Sequence, residues 1–250
     1  LLVSGFAFKI SAVPFHLWTA DVYEGSPVAV TAFLSVVSKA AVLFTFTSIL
    51  YKVFTPIASV WYGVLVVLSV ATILIGNLFA IRQDNFKRFL AFSSIAQVGF
   101  ILIGISGSSQ AGSASLVYFV LIYVFSNLAA FGVVTVVSAL TGKENISDFK
   151  GFYKTNPFLS WVLTIALFSL AGVPPTAGFF GKLFLMMAGA AKEMYEALLV
   201  NPNNFEQIAD TLKYDLERVR LVGRSGLDHK TRTSLAVVES AYGVALDGFA

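Results

Sequence analysis

Lys9, Lys39 and Lys182 lie inside apolar runs long enough to cross a bilayer. Two of them flank prolines that must interrupt a helix: Lys9 comes five residues before Pro14, and Lys182 seven residues after Pro175. A charge in hydrocarbon costs roughly 2.5 to 3.5 kcal/mol even on the lenient insertion scale, so such lysines face a polar interior path. Their chemistry there is proton exchange, because burial disfavours the charged form of an amine, and no Asp or Glu sits in the middle of any apolar run to hold that charge. For Lys182 the plain alternative is a lysine snorkelling to the interface beside an ordinary proline kink. Thr31, Ser35 and Lys39 recur at i, i+4 and i+8 on one helical face. Ser93, Ser94 and Gln97 form a second stripe, and Tyr123, Ser126 and Asn127 a third. Each stripe alone is ordinarily interhelical hydrogen-bond glue. Beside three lysines, Ser35, Gln97 and Asn127 mark an expected polar axis along the membrane plane. His16, two residues after Pro14, is either structural or a proton relay at the cytoplasmic end of that break.

The elements that position these residues follow from apolar runs and their breakers. The run Leu1 to Val13 ends at Pro14 and has neither a basic flank nor a small-residue cleavage site, so it reads as a span whose start is missing rather than as a signal peptide. Further spans are expected over Val28 to about Phe54, Ile57 to Ile81, Phe89 to Ile105, Leu116 to Leu140 and Phe158 to about Ala191, the last broken at Pro174 and Pro175. The span around Lys39 is expected to run uninterrupted. Pro14 removes the donor to the Ile10 carbonyl, and Pro174 and Pro175 remove the donors to the carbonyls of Leu170 and Ala171. Non-helical backbone at membrane depth survives only where protein or water satisfies it, so both breaks are expected to face the interior. The fold class is therefore all-α: a polytopic membrane helix bundle of about six spans with two proline-broken helices, plus a short soluble helical tail.

Charge placement orients the bundle and bounds the function. Arg82, Lys87 and Arg88 share one loop, and Lys143, Lys150 and Lys154 share another two spans later. The positive-inside rule puts both loops in the cytoplasm, together with Asp21 and Glu24. Residues 1–191 carry ten Lys/Arg and five Asp/Glu; the last 59 residues carry seven and nine, and no run there could span. The chain thus divides into a membrane domain, 1–191, and a tail, 192–250. The net charge of +3 points to no nucleic acid, since the basic residues sit in short loops between spans. With no cysteine, thiolate metal sites, iron–sulfur ligation and disulfides are excluded within this chain.

These residues carry a resemblance. The run Phe8-Lys9-Ile10-Ser11-Ala12-Val13-Pro14-Phe15-His16-Leu17-Trp18, its continuation Thr19-Ala20-Asp21-Val22-Tyr23-Glu24-Gly25, the stretch Ser38-Lys39-Ala40, the run Asn85-Phe86-Lys87-Arg88-Phe89-Leu90-Ala91-Phe92-Ser93-Ser94, and Ser169-Leu170-Ala171-Gly172-Val173-Pro174-Pro175-Thr176-Ala177-Gly178-Phe179-Phe180-Gly181-Lys182 occur in an order that resembles the antiporter-like membrane subunits of proton-pumping NADH:quinone oxidoreductase, respiratory complex I, above all its N-subunit branch. The likeness covers about residues 1–187, as a partial fragment.

The resemblance implies proton translocation coupled to NADH-to-quinone electron transfer in a bacterial inner membrane. Lys9 and Lys182 would be the broken-helix lysines and Lys39 the central channel lysine. It implies a non-redox subunit of a translocase: this chain would hold no cofactor, with flavin, iron–sulfur clusters and quinone in partner subunits, and its partners would be the other membrane-arm subunits and the lipid bilayer. The family pairs the first broken-helix lysine with an upstream glutamate that this stretch does not include, and Gln97 stands where many relatives have histidine. Two other functions fit the same residues: a subunit of a multi-subunit cation/proton antiporter, and a non-transporting membrane scaffold whose lysines pair with neighbours. The Thr19 to Gly25 loop favours the first reading over the antiporter. After Lys192 the likeness is expected to stop. The tail reads as unrelated or chimeric, with amphipathic helices over Phe205 to Val219 and Leu235 to Leu246. Its Ala197 to Pro202 and Ile208 to Leu212 weakly resemble retaining glycosyltransferases of the trehalose-phosphate synthase type, which implies no activity.

Overall fold

The structure, a computed structural model, describes residues 1–106 and 110–200. The chain divides into two units, Leu1–Glu193 and Met194–Ala250, and every side-chain contact described below lies in the first. The helices expected at Phe205 to Val219 and Leu235 to Leu246 lie outside the described residues.

Apolar runs become helices because a backbone out of water must satisfy its own polar groups. Helix α1 (Leu2–Ile10) and α2 (Leu17–Gly25) flank the first break, α3 (Val28–Phe33) leads through a π-helical turn (Leu34–Ser38) into α4 (Lys39–Lys52), and α5 (Ala58–Ile81), α6 (Phe86–Ser106) and α7 (Gln110–Thr141) follow. After a short α8 (Phe152–Thr155), α9 (Pro157–Ala171) and α10 (Ala177–Val200) flank the second break. The described residues contain no strand, only an isolated bridge between Asn85 and Asn145. Among the described residues, four stretches are long and apolar enough to cross a membrane: Val28–Lys52, Val60–Ile81, Phe86–Ser106 and Gly112–Thr141; Pro157–Ala171 and Ala177–Ala190 are shorter apolar helices. This is the expected membrane helix bundle with two broken helices.

Local chemistry sets the ends. Asn156 accepts the Leu159 amide at 3.2 Å and Pro157 opens α9, pairing a side-chain cap with a residue that has no amide to satisfy. Ser11 (φ 67°) closes α1 and Gly172 (φ 79°) closes α9, both in the left-handed region.

Helix α6 is the centre of the bundle. Of its most apolar stretch 78% is buried, against 28% for α5 and 33% for the Lys39 span. Lipid tails are as apolar as leucine, so close packing and hydrogen bonds hold such helices together. A Cβ on Gly76 of α5 would lie 2.7 Å from the Ala96 backbone nitrogen of α6, and hydrogen at that position is what lets the two backbones approach.

One end of the bundle is tied by charge. Arg88 Nη1 lies 2.7 Å from both Asp21 Oδ1 and Glu24 Oε2, and Lys87 Nζ lies 3.0 Å from Glu144 Oε2 and 3.3 Å from the Ser26 carbonyl. These contacts join the three segments that the charge bias assigns to one side of the membrane.

Candidate functional site

The Lys39 span runs unbroken over Val28–Lys52, as expected, but immediately before Lys39 it takes an unexpected π-helical turn. The turn changes the phase between Ser35 and Lys39, yet Thr31, Ser35 and Lys39 all stay on the buried side, at 0, 0 and 2% exposure. Lys39 Nζ donates to Ser94 Oγ at 2.8 Å, and Ser94 Oγ in turn donates to the Ala91 carbonyl at 2.8 Å. The ammonium nitrogen also stands 5.6 Å from the ring centroid of the fully buried Tyr23, within reach of the ring's negative face. Among the described residues a hydroxyl and a ring face, not a carboxylate, receive this lysine.

One turn along α6 from Ser94, the amide of Gln97 donates to the Leu170 carbonyl at 2.8 Å. Lys182 Nζ donates to the same carbonyl at 2.7 Å and to the Ala171 carbonyl at 3.1 Å. These are the two acceptors that Pro174 and Pro175 deprive of helical donors, so the lysine completes the broken helix instead of snorkelling. The Lys182 nitrogen lies 4.6 Å from the Phe100 ring centroid of α6. A Cβ on Gly172 would meet Lys182 Cδ at 2.9 Å, and one on Gly178 would overlap the Ser169 carbonyl oxygen. Both glycines are required by how closely the two halves of the break approach.

Helix α7 supplies a parallel polar layer. Tyr123 hydroxyl donates to the Ser35 carbonyl at 2.9 Å, and Ser126 Oγ donates to Ser169 Oγ at 2.8 Å. Asn127 is buried beside them, and its Nδ2, like Gln97 Oε1, has no hydrogen-bond partner among the described residues. The axis expected through Ser35, Gln97 and Asn127 is therefore buried as a set.

The first break buries its backbone but exposes Pro14 itself, and its lysine is not where it was expected. Ser11, Ala12 and Val13 are buried, the Val13 amide donates to Thr72 Oγ1 at 3.0 Å, and Thr19 Oγ1 donates to Ser11 Oγ at 2.6 Å. Thr72 was not legible as part of the site, since α5 shows no polar stripe of the kind that marks α6 and α7. Lys9, expected in the interior, is exposed: α1 buries Ala7 and Ile10 and directs Lys9 away from them. His16 is buried with its ring edge on Phe79, and neither ring nitrogen has a hydrogen-bond partner among the described residues. The second break likewise departs from the expected inward facing, because Pro174 and Pro175, like Pro14, are exposed. Proline rings carry no donor, so they can face outward while the freed carbonyls turn inward to Gln97 and Lys182.

Residues 1–202 match the model of the family described as NADH:quinone oxidoreductase/Mrp antiporter, TM. The chain belongs to this family. Among antiporter-family relatives, it is 55% identical over 192 residues to the NADH-quinone oxidoreductase subunit N of Azobacteroides pseudotrichonymphae, covering 76% of this chain and 40% of that protein. It is 54% identical over 186 residues to subunit N of Phocaeicola vulgatus, covering 74% and 39%. The chain thus spans about two fifths of the length of these curated relatives. Among solved antiporter-family structures, a chain of respiratory complex I from Thermus thermophilus superposes with TM-score 0.64 at 32% identity, covering 76% of this chain and 42% of that one. A chain of the Mrp complex from Dietzia sp. superposes with TM-score 0.71 at 27% identity, covering 80% and 37%.

Proposed function

We propose that this antiporter-family chain carries part of a proton path in the membrane arm of a respiratory complex I, coupled to NADH-to-quinone electron transfer. One observation carries the reading: Lys39 on Ser94, and Gln97 and Lys182 on the single Leu170 carbonyl, set a buried and a half-buried lysine along one central helix with polar groups one turn apart between them. A lysine can release and regain a proton, Ser94 and Gln97 can relay hydrogen bonds, and water at Gln97 Oε1 and Asn127 Nδ2 would satisfy the remaining buried polar atoms. Lys9, exposed on α1, belongs to the same path, with His16 as a relay at its break. The chain itself does no redox chemistry; flavin, iron–sulfur clusters and quinone belong to the other subunits. Its setting is a bacterial inner membrane among the other membrane-arm subunits.

The Mrp-type reading has the higher TM-score, 0.71 against 0.64, but overall shape is common to the family. The identity of 54 to 55% to NADH-quinone oxidoreductase subunit N relatives, over about three quarters of this chain, supports the complex I branch. Lys39→Ala in the full-length subunit tests the proposal. Quinone-linked NADH oxidation and pumping should fall about tenfold or more, equivalent to about 1.4 kcal/mol or more of barrier, with NADH oxidation by an artificial acceptor unchanged. Normal pumping by an assembled Lys39→Ala complex would overturn it.

A further inference from the structure

The contact between Lys39 and Ser94 depends on the backbone just before Lys39, and a residue on another helix grips that backbone. In the turn Leu34–Ser38 the Lys39 amide donates to the Val36 carbonyl instead of to Ser35, four residues back. The Ser35 carbonyl is met by the Tyr123 hydroxyl of α7, 2.9 Å away, and Ser35 Oγ lies 3.2 Å from the same hydroxyl. All three side chains are buried: Ser35 at 0%, Lys39 at 2% and Tyr123 at 4% exposure.

We propose that Tyr123 is a positioning residue for Lys39: its hydroxyl occupies the Ser35 carbonyl, holds the π-helical turn open and thereby aims the lysine at Ser94. This rests on the proton-path reading for its consequence, though not for its geometry. A buried carbonyl without a donor is costly, and the nearest alternative donor is the Lys39 amide, whose return to Ser35 would rewind the turn to α. Each residue of an α-helix advances about 100°, so rewinding changes the phase across the turn by an angle of that order. The flanking helix cannot absorb it. Thr31 Oγ1 donates to the Tyr23 carbonyl at 3.1 Å on one side, and Phe46 stacks on Phe6 at 4.8 Å on the other. The adjustment therefore falls on Ser35 and Lys39, and the ammonium leaves Ser94.

Tyr123→Phe removes the hydroxyl and keeps the ring. In a structure of the assembled membrane complex carrying it, the Lys39 amide should return to the Ser35 carbonyl, and Lys39 Nζ should move beyond hydrogen-bond distance, about 3.5 Å, of Ser94 Oγ. An unchanged π-helical turn with Lys39 still on Ser94 would overturn the proposal. Ser35→Ala retains the carbonyl contact and should leave both turn and lysine in place; loss of the turn in that variant would overturn the role of the carbonyl. In pumping assays Tyr123→Phe and Ser94→Ala should each lower the rate on the order of tenfold, and the double variant should fall no further. Multiplying losses would mean that Tyr123 does not act through the Lys39 contact. If Lys39→Ala pumps normally, the proton-path reading fails, and the structural comparison still decides whether Tyr123 positions the lysine.

Discussion

Lys182 Nζ lies 2.7 Å from the Leu170 carbonyl oxygen, the acceptor that Pro174 strips of its helical donor. The proline creates a backbone vacancy, and the lysine twelve residues after Leu170 fills it. Gln97 of α6 donates to the same oxygen at 2.8 Å, so one carbonyl joins the central helix to the broken one. A single-chain feature, the proline pair, thus becomes a junction between helices.

Truncating the lysine should therefore have two effects. Lys182→Ala in the full-length subunit should lower quinone-linked pumping about tenfold or more, and it should destabilise the α9–α10 junction by about 1 to 3 kcal/mol because two carbonyls lose a donor. Lys182→Arg should restore the hydrogen bonds and the stability without restoring pumping, since a guanidinium stays protonated at physiological pH. Parallel thermal-stability and proton-uptake measurements on the two variants check the split.

Gly172 should tolerate no side chain. Its φ of 79° disfavours any Cβ by about 1 kcal/mol, and that Cβ would lie 2.9 Å from Lys182 Cδ. Gly172→Ala is expected to cost about 1 to 3 kcal/mol and to shift Lys182 off the Leu170 carbonyl, read as a fall in melting temperature with a parallel loss of pumping.

The loop ion pair predicts a pH dependence. Partial burial alone would raise the Glu144 carboxyl, but hydrogen bonds from Lys87 and from Ser138, 2.9 Å away, together with the Lys87 charge, outweigh it and hold the group below the ordinary carboxylate range. A carboxylate depressed on folding contributes stability that is present above its unfolded value, about 4.3, and is lost as pH falls through the folded value. Glu144→Gln should abolish this acid-side component, measured by protease sensitivity of the 142–150 loop between pH 6 and 3, while the near-neutral baseline drops slightly.

Arg88 holds Asp21 and Glu24 through one guanidinium nitrogen, at 2.7 Å to each. All three groups are partly exposed, so Arg88→Ala should cost only about 1 kcal/mol, and less at high salt. The expected readout is a small, salt-dependent fall in stability with both carboxylates still soluble and the bundle still assembled.

Periodicity and punctuation determined much of this protein. Apolar runs located the helices at Val28–Lys52, Phe86–Ser106 and Gly112–Thr141 to within a few residues, because hydrocarbon forces each run to satisfy its own backbone. Proline spacing located both breaks and even named the freed carbonyls of Leu170 and Ala171, since the lost bond lies four residues back in any helix. The polar stripes named Ser94, Gln97, Tyr123 and Asn127. What touches them was decided only by tertiary structure. Ser94 rather than an acid receives Lys39, Thr72 of α5 satisfies the first break, and Tyr23 and Phe100 lend ring faces to Lys39 and Lys182. Nor did any local signal announce the π-helical turn, because the Tyr123 hydroxyl that grips it lies 88 residues away. The exposure of Lys9 and of Pro14, Pro174 and Pro175 was equally invisible. Spacing along a helix shows which residues share a face; which neighbouring helix covers that face depends on packing between segments distant in the chain.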